Sequence, residues 1–133
     1  MKITKKVLMN EKIKQYNESN TEQLKTEKLV SDITVFIKEK NLGGYLSIYY
    51  NNKGINIDES GNIEKIKENV KGSDFIGKYA DGYIVTMMYE GNFYEIMNDN
   101  SYQNTYSAFY NLLDGLGYEF ELINQTSLGI SEK

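Results

Sequence analysis

Apolar positions at helical spacing mark one long segment near the start of the chain. Between residues 19 and 42 they recur every three or four positions: Leu29, Val30, Ile33, Phe36 and Ile37. This period places them on one stripe of an α-helix. Capping-box spacing occurs at Ser19 and again at Asn20, and the glycines of "NLGG" can end the helix. The pattern therefore predicts a helix over residues 19–42.

The segment before that helix carries a weaker pattern. Three apolar side chains, at Met9, Ile13 and Tyr16, would share one face of a short helix. We predict a loose helical arm over residues 1–18, with a strand over residues 1–8 as the alternative.

The period changes to two after Gly44. The stretches "GYLSIYY" and "INI" flank "NNKG", which is typical of a β-hairpin with its turn at those polar residues. The following "SGNIEKIKENVKG" has Ile63, Ile66 and Val70 on one side when it is read as a helix. Residues 60–72 are therefore predicted to form a short helix or an irregular turn.

Residues 83–98 carry the strongest strand signal. With Gly91 and Asn92 as a two-residue loop, this segment folds into a hairpin with two different faces. One face is apolar and suits the core: Val85, Met87, Tyr89, Tyr94 and Ile96. The other mixes apolar and acidic side chains: Thr86, Met88, Glu90, Phe93, Glu95 and Met97. Because antiparallel sheets usually turn one face to water, this mixed face is predicted to be exposed.

The last third of the chain predicts one helix and one strand. Asn100 can cap a helix over residues 101–116, and Gly117 can end it in the left-handed conformation. Tyr102 and Tyr106 are predicted to face the core, with Tyr110 at the boundary. "GYEFELI" alternates apolar and acidic residues as a one-sided strand, and residues 126–133 are predicted to be a frayed tail. Together these elements predict a single α+β domain over residues 1–133, with an antiparallel sheet of about four to six strands packed against two main helices.

Composition narrows the chemistry. The 133 residues include no cysteine, histidine, tryptophan or proline, and every basic residue is lysine. This excludes thiolate nucleophiles, the usual zinc ligands and the commonest general base. The Lys-, Asn- and Ile-rich usage is typical of an AT-rich bacterial genome. No stretch is apolar enough to span a membrane, so we expect a cytoplasmic protein without membrane contact.

Charge is distributed unevenly. Residues 1–40 hold nine lysines and six acids (9 − 6 = +3), whereas residues 41–133 hold six lysines and thirteen acids (6 − 13 = −7). An acidic body of this kind repels nucleic acid directly and attracts basic partners. The lysines at positions 2, 5, 6, 12 and 14 form a basic cluster that we interpret as a solvated face.

Two stretches could be taken for sites. "DESGNIEK" lacks the ligand spacing of a calcium loop and is predicted to be a plain turn, so no metal site and no cofactor are expected. Glu119 and Glu121 lie about 6.5 to 7 Å apart on one strand face, but such a pair occurs on many edge strands and no catalytic residue is assigned.

The remaining candidates form an interface. Tyrosine and methionine supply adaptable contact area, and carboxylates supply charge. The predicted binding residues are Met88, Glu90, Phe93, Glu95, Met97, Glu119, Glu121 and Tyr110.

These residues lead to three hypotheses. The first is a small acidic non-enzymatic module that binds a basic surface of another protein, such as an inhibitor from a phage or mobile element that covers a nucleic-acid-binding surface. The second is a ligand-binding or enzymatic domain with a pocket between the sheet and helix 101–116, lined by Tyr102, Tyr106 and Tyr89. The third is a homo-oligomeric structural subunit.

Overall fold

A computed structural model of the protein describes residues 5–133, with side chains from Asn20 onward. Over this range three α-helices and six β-strands form an α+β fold with one antiparallel sheet, as predicted. The helices are α1 (Lys5–Glu39), α2 (Asn92–Asn98) and α3 (Gln103–Leu116). The strands are β1 (Leu46–Tyr50), β2 (Lys53–Ile57), β3 (Ile63–Glu68), β4 (Val85–Tyr89), β5 (Tyr118–Asn124) and β6 (Ser127–Glu132).

The strand order is β3-β2-β1-β4-β6-β5, so β3 and β5 form the two edges of the sheet. The predicted hairpin at "NNKG" is confirmed: β1 and β2 are joined by Asn51 and Asn52, with φ angles of 48° and 59°. Positive φ at both loop residues is the requirement of a type I′ turn, which asparagine tolerates well.

One face of the sheet carries the hydrophobic core, and all three helices pack on it. The strands contribute their alternate residues, among them Ile48, Met87 and Leu128, all fully buried. Aromatic rings in contact connect the sheet to the helices. The ring centroid of Phe93 lies 4.9 Å from that of Tyr89 and 5.3 Å from that of Phe109, and the centroid of Phe109 lies 5.7 Å from that of Phe36. We call this face of the sheet the core face and the other the second face.

A segment between β3 and β4 covers part of the second face. Phe75 stacks on Tyr49 at 5.0 Å between ring centroids. Tyr83 lies over Gly129 so closely that a Cβ atom on Gly129 would come within 2.3 Å of the Tyr83 ring. Residues 70–84 are therefore called the covering segment, and they leave the end of the second face near Ser47 and Met88 open.

The first predicted helix starts earlier than expected. The stripe from Leu29 to Ile37 is buried as predicted, but α1 begins at Lys5, and the capping sequences at Ser19 and Asn20 lie within it. The residues before them include no glycine or proline that would interrupt the helix. The predicted face at residues 9, 13 and 16, and residues 1–4, lie outside what is described.

Residues 63–68 form the edge strand β3 instead of a short helix. Pairing with β2 places Ile66 opposite Ile55, and it provides hydrogen-bond partners for the backbone N–H and C=O groups on one side of β3. Ile63 and Ile66 remain 51% and 57% exposed.

The predicted hairpin over residues 83–98 is wrong in its second half. Its first half is β4, but residues 92–98 form α2. Phe93 and Met97 are buried in the core together with Ile96, because these three positions share one face of a helix. The prediction of an exposed mixed face is therefore wrong for Phe93 and Met97, and also for Thr86, which is buried on β4.

The predicted frayed tail is also wrong. Residues 127–132 form β6, which is inserted between β4 and β5. Leu128 and Ile130 are completely buried, and Gly129 admits the Tyr83 ring on the second face.

The helix over residues 101–116 is largely confirmed as α3. Gly117 ends it with a φ of 91°, and its N–H donates to the carbonyl groups of Asp114 and Leu113. α3 begins at Gln103, two residues later than predicted, and has no side-chain cap at its start among the described residues. Asp99 caps the 3-10 turn Asn100–Tyr102 before it, because the Asp99 carboxylate accepts the N–H of Ser101 at 2.9 Å, so the predicted cap at Asn100 is wrong.

The tyrosines of this stretch are only partly placed as predicted. Tyr106 packs against the core and Tyr110 lies at its boundary, 6.4 Å from Phe120. Tyr102 lies in the 3-10 turn before α3 and is exposed, so its predicted core position is wrong.

Candidate functional site

The eight predicted interface residues do not form one surface. Phe93 and Met97 belong to the core. Glu95 is exposed on α2 and Tyr110 on α3, both in the helix layer. The remaining four are associated with the sheet: Met88, Glu90, Glu119 and Glu121.

Those four lie in two places. Glu119 and Glu121 are exposed on the edge strand β5, where Glu121 accepts a hydrogen bond of 2.9 Å from the Tyr83 hydroxyl. This hydrogen bond to the carboxylate raises the pKa of Tyr83. Met88 lies opposite Ser47 on the open part of the second face, and Glu90 follows β4 directly.

A groove opens where β1 begins, next to Met88 and Glu90. Gly44 and Tyr45 both have positive φ angles, 93° and 51°, and the Glu90 N–H donates to the Tyr45 carbonyl at 3.0 Å. Gly43 lies so close to the β2–β3 turn that a Cβ atom would come within 2.1 Å of the Asp58 carbonyl oxygen. This approach needs glycine, and it leaves the Tyr45 side chain 76% exposed at the rim of the groove.

The groove is open and polar at its floor. Its volume is about 540 Å³, and the Ser47 hydroxyl donates to Asn56 Oδ1 at 2.9 Å between β1 and β2. The described residues that line it include Asp58, Glu59 and Glu64 but no lysine. We call this site the acidic groove.

The carboxylates of the groove differ in whether they accept hydrogen bonds from the protein backbone or are exposed to solvent. The first five residues of "DESGNIEK", residues 58–62, form the β2–β3 turn, because Asp58 Oδ1 accepts the N–H groups of Ser60 and Asn62, each at 2.9 Å. The plain turn predicted for this stretch ends there, since residues 63–65 belong to β3. Glu59 and Glu64 are exposed. Lys65 borders the groove on β3, opposite Asn56. The groove therefore offers two exposed carboxylates and one aromatic ring to a ligand.

This arrangement suits a basic group. A lysine or arginine side chain can lie over an aromatic ring while a carboxylate accepts its hydrogen bonds. Within the part of the chain that the structure describes, no group of three or more Asp, Glu, His or Cys side chains is placed to hold a metal ion. No helix of that part is long and apolar enough to cross a bilayer.

The three tyrosines predicted to line one pocket do not share a cavity. Tyr106 lines a cavity of about 280 Å³ between α2 and α3, and Tyr102 lines another of about 260 Å³ beside Glu95. Tyr89 is fully buried, and its hydroxyl has no hydrogen-bond partner among the described residues. Burial, with a smaller contribution from Tyr106, raises the pKa of Tyr89 well above its ordinary value.

Sequence reasoning missed the groove residues Tyr45, Glu59 and Glu64. The available signal was the glycine pair before Tyr45, which permits a close approach of two loops. Comparison of the chain with protein-family models, with curated proteins and with solved structures gives no match.

Proposed function

We propose that the protein is a small non-enzymatic binding module that docks on a basic surface of another protein through the acidic groove. The observation that supports this function is the exposed ring of Tyr45 beside the carboxylates of Glu59 and Glu64, in a groove without a lining lysine among the described residues. Met88 and Glu90 flank the groove and extend the contact surface.

The energetics require a partner with several basic groups. An exposed ion pair contributes about 0.2 to 1 kcal/mol, and an exposed cation–π contact about 0.5 to 1 kcal/mol. A single lysine would therefore bind weakly, whereas a basic surface that also meets the excess of acids in residues 41–133 would bind faster and more tightly.

A nucleic-acid-binding protein presents such a basic surface. We propose that the module covers a surface of this kind, as an inhibitor encoded by a phage or mobile element would, and that it does so in the cytoplasm. Its own negative charge disfavours direct binding to nucleic acid.

The first test measures binding to a defined basic peptide. Isothermal titration calorimetry with a lysine- and arginine-rich peptide is expected to show saturable binding that weakens as salt is raised. Glu64→Lys in the groove should lower the affinity by about tenfold or more, the equivalent of about 1.4 kcal/mol. Tyr45→Ala should also weaken binding.

Glu95→Lys is the matched control, because it changes the net charge equally but lies on α2 in the helix layer. It should leave the affinity within about twofold. Equal weakening by both variants would mean that net charge alone attracts the peptide, and absence of binding would reject the proposal.

The second test searches for the natural partner. Affinity capture from lysate of the source cell, at low and high salt, should retain a protein with a basic surface on the wild type and on Glu95→Lys. Loss of that protein on Glu64→Lys alone supports the groove, and equal capture by all three proteins contradicts it.

A further inference from the structure

The two edges of the sheet are both free in the described residues. The outer sides of β3 and β5 have no strand partner in that part of the chain. Such edges present unpaired N–H and C=O groups and can accept a further strand. Because every neighbouring pair is antiparallel and there are six strands, β3 and β5 run in opposite directions.

The edges carry opposite charge on the second face. The second-face residues of β3 include Lys65 and Lys67, which lie opposite Asn56 and Gly54 of β2. Those of β5 are Glu119 and Glu121, opposite Ser131 and Gly129 of β6. Among the described residues, Lys67 lies over the Phe75 ring and Glu121 accepts the hydrogen bond of the Tyr83 hydroxyl. Lys65 and Glu119 are exposed.

The core-face sides of the same edges are mostly apolar, with Glu68 as an acidic residue at the end of β3. Ile63 and Ile66 on β3 are about half exposed, as is Leu122 on β5, and Phe120 is partly buried. Each edge therefore has an incompletely covered apolar row on one face and a charged row on the other.

We propose that β5 of one copy pairs with β3 of a second copy and extends the sheet. A second copy in the same orientation brings the two edges together antiparallel, with core face beside core face. Placing Phe120 opposite Ile66 sets Glu119 opposite Lys67 and Glu121 opposite Lys65, since opposed residues follow each other in register. Each copy therefore carries both the basic edge and the acidic edge that the pairing needs.

Pairing of like edges is disfavoured by the same residues. Two copies of β3 would oppose lysines to lysines, and two copies of β5 would oppose glutamates to glutamates. The contact is therefore heterologous, and it generates a ring or an open chain of copies and not a closed twofold dimer. The pairing goes beyond the proposed function, although the β3 edge that it uses also carries Glu64 of the acidic groove.

Sedimentation velocity of the full chain from about 10 μM to about 1 mM tests the pairing. The wild type should associate progressively, and more weakly at high salt. Both the Glu119→Lys/Glu121→Lys variant and the Lys65→Glu/Lys67→Glu variant should be monomeric alone, since each then has like-charged edges. An equimolar mixture of the two should associate again, because the edge of one complements that of the other.

Three results would overturn the proposal: a monomeric wild type at the highest concentration, association that persists in either charge variant, or a mixture of folded variants that stays monomeric. Circular dichroism reports whether the variants fold. Should they not fold, Ile66→Lys replaces them, because Ile66 is exposed in the free protein but would be covered in the pair. Association of Ile66→Lys as strong as that of the wild type would then reject the pairing, and a drop of about tenfold or more in its association constant would support it.

Discussion

Leu128 and Leu122 provide a matched test of the C-terminal strand. They lie directly opposite each other on β6 and β5, and both side chains point to the core face. Leu128 is 0% exposed, whereas Leu122 is 49% exposed. The same substitution, leucine to alanine, therefore removes the same atoms from two environments that differ mainly in burial.

The expected costs follow from that difference. Each substitution deletes three carbon atoms, and burial of a methylene stabilises by about 0.8 kcal/mol, so complete burial accounts for about 2.4 kcal/mol. The cavity left at Leu128 raises its cost to about 3 to 4 kcal/mol. At Leu122 about half of the transfer value applies and water fills the space, so we expect about 1 kcal/mol.

Urea unfolding followed by far-ultraviolet circular dichroism measures both free energies. The slope of the transition should be unchanged, because the variants expose similar surface on unfolding. A loss of about 3 kcal/mol at Leu128 would lower the melting temperature by roughly 10 °C. A cost for Leu128→Ala that is no larger than that for Leu122→Ala would refute β6 as an interior strand.

Three further predictions concern single side chains. Tyr89→Phe removes a buried hydroxyl without a hydrogen-bond partner among the described residues, so the free energy of unfolding should rise by about 1 kcal/mol in thermal unfolding. A decrease would mean that the hydroxyl is hydrogen-bonded in solution. Gly129→Ala should lower the free energy of unfolding by about 1 to 3 kcal/mol, because the added methyl group would collide with the Tyr83 ring. Gly115→Ala, in open space on α3, should raise the free energy of unfolding by about 0.5 to 1 kcal/mol. Equal effects of the two substitutions would contradict this reasoning. The hydrogen bond from the backbone N–H two residues later lowers the pKa of Asp99. A lowered folded-state pKa stabilises the protein above the unfolded value of about 3.9 and loses this effect as pH falls through the folded value. The stability advantage of wild type over Asp99→Asn should therefore shrink at acid pH, and a pH-independent difference would reject the reasoning.

The predictions that held were those where local pattern and packing agree. The stripe from Leu29 to Ile37 is buried, the Asn51–Asn52 turn joins two strands, and Gly117 ends α3. In each case the residues specify their element without help from distant parts of the chain, and the α+β class followed from them.

The errors arose where a short pattern of apolar residues fits both the helical period and the strand period. Phe93, Ile96 and Met97 fit a helix as well as a strand, and burial against Phe109 decides for the helix. The stretch at 127–132 has only Leu128 and Ile130 as large apolar residues. Its burial depends on insertion between β5, its neighbour in sequence, and β4, which is distant in sequence.

The acidic groove could not be predicted from the spacing of apolar and polar residues along the chain. It depends on the close approach of Gly43 to the β2–β3 turn, which is a contact between two loops. The charge imbalance predicted an acidic surface, but not that Tyr45 would be the exposed aromatic residue beside it.

The place of β4 in the sheet has a kinetic consequence. The strands β1 to β3 form one unit and β5 with β6 another, each closed by short turns between neighbours in sequence. Within the described sheet, β4 is the strand that joins these units, through partners that are far away along the chain on both sides. Closing such long loops costs entropy before any contact is gained. We therefore expect the two units to form early, and the docking of β4 between them to limit the rate at which the protein folds.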